Sequence, residues 1–129
     1  MLEKLSPRVV FHWFELLSAI PHGSRDTKAI SDWCAAFAAD RKLTYRQDDA
    51  GNIVIYKHGS RGAENEPPLI LQGHLDMVCA KESGSTVDMS CEGIRLCTDG
   101  SDVWADGTTL GADNGIAVAM ILSLLDASD

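Results

Sequence analysis

One short segment limits what this chain can become. Leu69-Ile70-Leu71-Gln72 is a brief apolar run that follows two prolines and ends in Gly73-His74-Leu75-Asp76. It is too short for a helix and is flanked by breakers, so it reads as a buried strand of an α/β sheet. Side chains two apart on a strand share a face. His74 and Asp76 are therefore expected to project together from a strand end, where α/β sheets hold their ligands.

The sequence around this strand alternates between helix and strand signals. Ser6-Pro7 reads as an N-cap followed by proline at the first helical position. Val9, Val10, Trp13, Leu16, Leu17 and Ile20 then recur at helical spacing, and Pro21-His22-Gly23-Ser24 breaks the helix. A second helix is expected from about Asp26 to Arg41, with Ile30, Trp33, Cys34 and Phe37 as its stripe and several alanines favouring it. Residues 43–47 and 53–56 read as a hairpin around the turn Asp49-Ala50-Gly51-Asn52. Residues 58–68 form a polar loop. Ile94–Cys97 and Val103–Ala105 are short strands around Asp99-Gly100-Ser101-Asp102. A last helix runs from Ile116 to Leu125, with Ile116, Met120 and Leu124 on one face beside Ala117 and Ile121. The expected fold is α/β: a mixed β-sheet flanked by helices.

Composition narrows the function. The chain has 129 residues, enough for one domain, and 45% of them are apolar. Its net charge of −8 disfavours nucleic acid as a partner. Cys34, Cys79, Cys91 and Cys97 form no C-x-x-C pair, so reduced thiols are expected, with Cys34 in the core. The first residues lack the h-region of a signal peptide, and no stretch of about 18 apolar residues exists to span a membrane. The cytoplasm is the expected location.

Two groups carry the candidate chemistry. A neutral imidazole at His74 can bind zinc, while a carboxylate at Asp76 fixes its tautomer and raises its basicity. By residue type alone, His-x-Asp is equally a structural histidine beside an aspartate. Asp113 lies in LGADNGIAVAM, between a glycine-rich loop and an apolar helix. There its carboxylate is favoured in the ionised form and could bridge two metal ions. It could equally be an N-cap. His12, His22 and His58 carry no such context. Asp99–Asp102 lacks the ligand ladder of a calcium loop and reads as a turn. Neither a phosphate loop nor a G-x-S-x-G elbow is present.

PPLILQGHLDMV and WADGTTLGADNGIAVAM, in this order and spacing, resemble the family of dinuclear zinc aminopeptidases and carboxypeptidases. Within it they are most similar to the aminoacyl-histidine dipeptidases, the Xaa-His or carnosinase-like branch. LSPRVVFHWFELLSAIPHGSRDTKAISDWC resembles the amino-terminal helices of that branch, so the resemblance covers essentially the whole chain.

The resemblance implies that His74 binds one metal, that Asp76 is the catalytic-site aspartate supporting it, and that Asp113 bridges two zinc ions. It also implies a cis Asp113–Asn114 bond. The family further needs a Glu-Glu pair after the second motif, a later aspartate and a distant histidine. None of these follows here, since the last glutamate is Glu92.

On this reading residues 1–129 are the amino-terminal part of a truncated metallopeptidase catalytic domain, without the family's lid or dimerisation domain. The expected parent is a homodimer that hydrolyses Xaa-His dipeptides with two zinc ions per site. The isolated chain is expected to bind zinc weakly and to turn over negligibly. A related tripeptidase or amide deacylase is the alternative enzyme, and a non-catalytic remnant or binding module the alternative class. Exposed sheet edges are expected to favour self-association.

Overall fold

The computed structural model describes residues 1–128. In chain order it contains α1 (Arg8–Ser18), α2 (Lys28–Asp40), β1 (Thr44–Gln47), β2 (Ile53–Tyr56), β3 (Leu96–Thr98), β4 (Val103–Ala105) and α3 (Ala112–Asp126). The α/β class is as expected, but the sheet is not a single mixed one. β1 pairs antiparallel with β2 and β3 antiparallel with β4, giving two separate hairpins.

The main correction concerns the apolar run. Residues 69–73 enter no ladder among the described residues. Leu69 is 83% exposed and Ile70 86%. An apolar run reads as buried only if a neighbour covers it, and no described strand lies alongside to do so.

Local chemistry explains the elements that form. In α1, Val10, Trp13, Phe14 and Leu17 are buried at helical spacing, while Val9 and Leu16 flank the stripe in solvent. Ser6 does not cap this helix. Pro7 occupies the N-cap after a cis Ser6–Pro7 bond, with no side-chain cap bond. α2 matches its expected stripe through Ile30, Cys34 and Phe37, with Trp33 partly buried against the same cluster. The β1–β2 turn is closed by Asp48, whose Oδ1 accepts from the Ala50 and Asn52 backbone N–H groups at 3.0 and 2.9 Å. Asp99 Oδ1 does the same for Ser101 and Asp102, at 2.8 Å each, so that segment is a hairpin turn. All four cysteines are free. Burial of Cys34 pushes its thiol up to about 12, so it stays neutral and behaves as a small apolar residue.

The core lies between α1 and α3, where Phe14 and Leu17 meet Val118, Ala119 and Leu122, with α2 and Leu96 closing it. α3 is apolar nearly all round. Its buried face is Val118, Ala119 and Leu122, whereas Met120 and Leu124, which helical spacing sets on one face with Ile116, are half exposed. Without polar residues to mark an outer face, periodicity could not choose the register. α3 also starts earlier than expected and is irregular at Asp113 and Asn114.

Candidate metal centre

Three stretches of backbone converge on His74. The first is the segment that carries it. Gly73 lies against α3, where an added Cβ would sit 3.1 Å from Val118 Cγ2. The absent side chain lets the His74 backbone approach that helix closely.

The second is the start of α3. Gly111 takes a left-handed conformation at φ 72°, and Asp113 is extended at φ −94°, ψ 103°. This irregular turn throws the Asp113 carboxylate outward, where it is 93% exposed. Gly111 holds the N-cap position without a side-chain bond. The capping role that residue type left open for Asp113 is thus not the one it takes. The Asp113–Asn114 bond is cis, as the family resemblance implies.

The third stretch links α1 to α2. Gly23 and Met77 form an isolated parallel bridge. Met77 N–H donates to His22 O at 3.0 Å, and Ser24 N–H donates to Met77 O at 3.0 Å. His22, read from sequence as an unremarkable turn residue, is in fact buried with Nδ1 2.5 Å from Ile20 O.

The geometry at the centre is a chain of contacts. His74 Nε2 lies 3.2 Å from Asp113 Oδ1, across 39 residues of sequence. On the other side of the ring, His74 Nδ1 lies 2.9 Å from Asp76 O and 3.3 Å from Asp76 Oδ1. The second Asp76 carboxylate oxygen accepts from Ser24 Oγ at 2.5 Å. All three residues named from the sequence are therefore brought together. Ser24 was missed: as part of a helix-breaking Pro-His-Gly-Ser it carried only a turn signal, and its partner lies 52 residues away.

Hydrogen bonding sets the protonation of the group. The Asp76 backbone carbonyl is the main cause holding His74 above the usual imidazole value, with both carboxylates adding to it against some desolvation. The Ser24 hydroxyl is the main cause holding Asp76 below the usual carboxylate value, helped by His74. With Nδ1–H donated to Asp76, a neutral ring presents a bare Nε2 to an ionised carboxylate. Two lone pairs facing each other at 3.2 Å call for a cation between them or a proton on the ring.

A divalent cation fits that gap. Zinc binds imidazole nitrogen and carboxylate oxygen at about 2.0–2.2 Å in tetrahedral geometry, which sets two ligand atoms about 3.4 Å apart. The His74–Asp113 separation is close to this. The fit stops at two donors: among the described residues no group of three or more His, Cys, Asp or Glu side chains is placed to hold a metal.

Comparison with known proteins covers nearly the whole chain. No protein-family model matches the chain. Its sequence is 38% identical over 124 residues to the cytosol non-specific dipeptidase of Escherichia coli (strain K12), covering 96% of this chain and 26% of that protein. Its structure matches the crystal structure of aminoacylhistidine dipeptidase from Vibrio alginolyticus with a TM-score of 0.95 and 35% identity, over 100% of this chain and 26% of that one. The chain is a partial homologue of these dipeptidases. It spans about a quarter of the length of either.

The dipeptidase relationship extends to the backbone. A TM-score of 0.95 over the whole chain means that its overall backbone path closely follows that of the matching quarter of the Vibrio dipeptidase. No helix among the described residues is long and apolar enough to cross a membrane.

Proposed function

We propose that this chain carries part of the metal centre of a dipeptide hydrolase, with His74 and Asp113 as ligands of zinc and Asp76 as the residue that orients His74. The observation that supports this best is the convergence of His74 Nε2 and Asp113 Oδ1 to 3.2 Å, from segments 39 residues apart, with Asp76 on the far ring nitrogen. Zinc, when bound, supplies Lewis-acid polarisation of a scissile carbonyl and acidifies water.

The chain's own residues have narrower tasks. Asp76 keeps the Nδ1 proton of His74 in place, so that Nε2 is the free donor atom. Asp113 offers an exposed carboxylate with two oxygens, which suits a bridge between two ions. The substrates on this reading are dipeptides of the Xaa-His type, handled in the cytoplasm by a homodimeric parent with two zinc ions per site. The dipeptidase names of both relatives support the reaction, and the aminoacylhistidine name supports the narrower substrate class.

A catalytic zinc site uses about three protein ligands plus water, and two candidates are present here. The 129-residue chain is therefore expected to bind Zn²⁺ weakly, to lose that binding in His74→Ala, and to leave carnosine uncleaved with zinc added. Calorimetric titration and an assay for released histidine measure these outcomes. Zinc affinity unchanged in His74→Ala would overturn the ligand assignment. Turnover comparable to a full-length dipeptidase would overturn the two-ligand limit.

A further inference from the structure

We propose that Ser24 is a positioning residue for the metal centre, acting on His74 through Asp76. This rests on the reading of His74 as a metal ligand.

The geometry carries the inference in three steps. First, the terminal torsion of an aspartate is broad and roughly two-fold, so its carboxylate plane is not fixed by its own rotamer. Asp76 needs an external partner to hold Oδ1 toward the His74 ring. Second, Ser24 Oγ donates to Oδ2 at 2.5 Å while Oδ1 stands 3.3 Å from His74 Nδ1. One carboxylate oxygen is held by serine and the other faces the imidazole. Third, Ser24 is itself anchored to the segment it acts on. Its backbone N–H bonds Met77 O at 3.0 Å, Met77 N–H bonds His22 O at 3.0 Å, and Gly23 and Met77 form a parallel bridge. The hydroxyl is thus pinned to the residue adjoining Asp76.

An ordinary turn serine would bond its own turn. Ser24 reaches 52 residues along the chain, to a side chain that touches the candidate ligand. The division of labour at Asp76 follows. Its backbone carbonyl, 2.9 Å from Nδ1, holds the tautomer. Its carboxylate, fixed by Ser24, sets the ring's orientation and raises its basicity toward a cation.

The test is Zn²⁺ affinity of the 129-residue chain, measured by competition with a chromophoric chelator. It compares wild type, Ser24→Ala, Ser24→Thr, Asp76→Ala, the Ser24→Ala/Asp76→Ala double variant and His74→Ala. Melting of the metal-free proteins is followed in parallel. Ser24 is exposed, so Ser24→Ala is expected to melt like wild type without metal.

Supporting partners of metal ligands are typically worth 10–100-fold in affinity, and the expected loss in Ser24→Ala is about tenfold. Ser24→Thr, which keeps the hydroxyl, restores binding. The double variant binds no more weakly than Asp76→Ala, because the serine acts only through that carboxylate.

Wild-type affinity in Ser24→Ala, with binding lost in His74→Ala, overturns the proposal and leaves the ligand reading standing. So does full additivity in the double variant, or an affinity loss that tracks a fall in metal-free melting and is not restored by threonine. Undiminished binding in His74→Ala overturns the ligand reading and this inference with it.

Discussion

At the scale of single residues, the contact between His74 and Asp113 poses an electrostatic problem that protons and cations solve in competition. A proton on Nε2 and a metal on Nε2 exclude each other, and the Asp76 carbonyl already occupies Nδ1. Metal affinity must therefore fall with pH. Asp76 chiefly, through its carbonyl, and Asp113 raise His74 above its ordinary value of 6.5. Zn²⁺ binding is expected to weaken about tenfold per pH unit below the raised value, for one displaced proton, and titrations between about pH 5 and 8 measure this. The metal-free protein shows the opposite sign. A pKa raised on folding means that protonated His74 stabilises the fold. That contribution is fully present below pH 6.5 and is lost as pH rises through the folded value. In His74→Ala the corresponding slope in melting temperature disappears. A zinc affinity flat across this range would show that His74 does not share its Nε2 between proton and metal. At this scale the sequence was informative where chemistry is written in residue type. His74, Asp76 and Asp113 announced themselves as donor groups, whereas a serine hydroxyl in a turn announces nothing until its distant acceptor is placed.

At the scale of elements, the site depends on a sharp junction between loop and α3, and glycine makes that junction feasible. Gly111 at φ 72° would carry a Cβ 2.7 Å from Met77 Sδ. Met77 adjoins Asp76, and Gly111 lies two residues before Asp113, so the contact sets the spacing of the two halves of the site. Gly111→Ala combines left-handed strain of about 1–2 kcal/mol with displacement of a buried methionine. The expected result is a melting temperature lower by roughly 3–10 °C and weaker Zn²⁺ binding. Unchanged melting would show that the loop relaxes without cost. Elements were legible where their determinants are local. The β1–β2 hairpin follows from the turn at residues 48–52, which Asp48 closes within four residues, and α2 follows from its alanines and apolar stripe. Elements were misread where determinants are distant or silent. Ser6 looked like a cap but precedes a proline that takes the position itself. The all-round apolar surface of α3 gave no hint that Val118, Ala119 and Leu122 face the core while Met120 and Leu124 do not.

At the scale of the whole molecule, two opposing surface properties decide how copies of the chain behave in solution. A net charge of −8 keeps them apart. Against this, Leu69, Ile70 and Val78 are 83%, 86% and 72% exposed, and Leu124 and Met120 add apolar surface on α3. Residues 69–73 also pair with no strand among the described residues. An apolar, unpaired edge is a template for strand addition. Charge repulsion between molecules is screened beyond about 8 Å at physiological ionic strength, while apolar contact is not weakened by salt. The expected outcome is self-association that grows with protein concentration and with added salt, read by sedimentation velocity. Ile70→Lys places a charge at the centre of the run without touching the core or the metal centre. It is expected to shift the protein toward monomer while leaving Zn²⁺ affinity unchanged. Association as strong as wild type in Ile70→Lys would move the contact to the exposed face of α3. Loss of association at high salt would show that charge, and not the uncovered apolar run, holds the copies together.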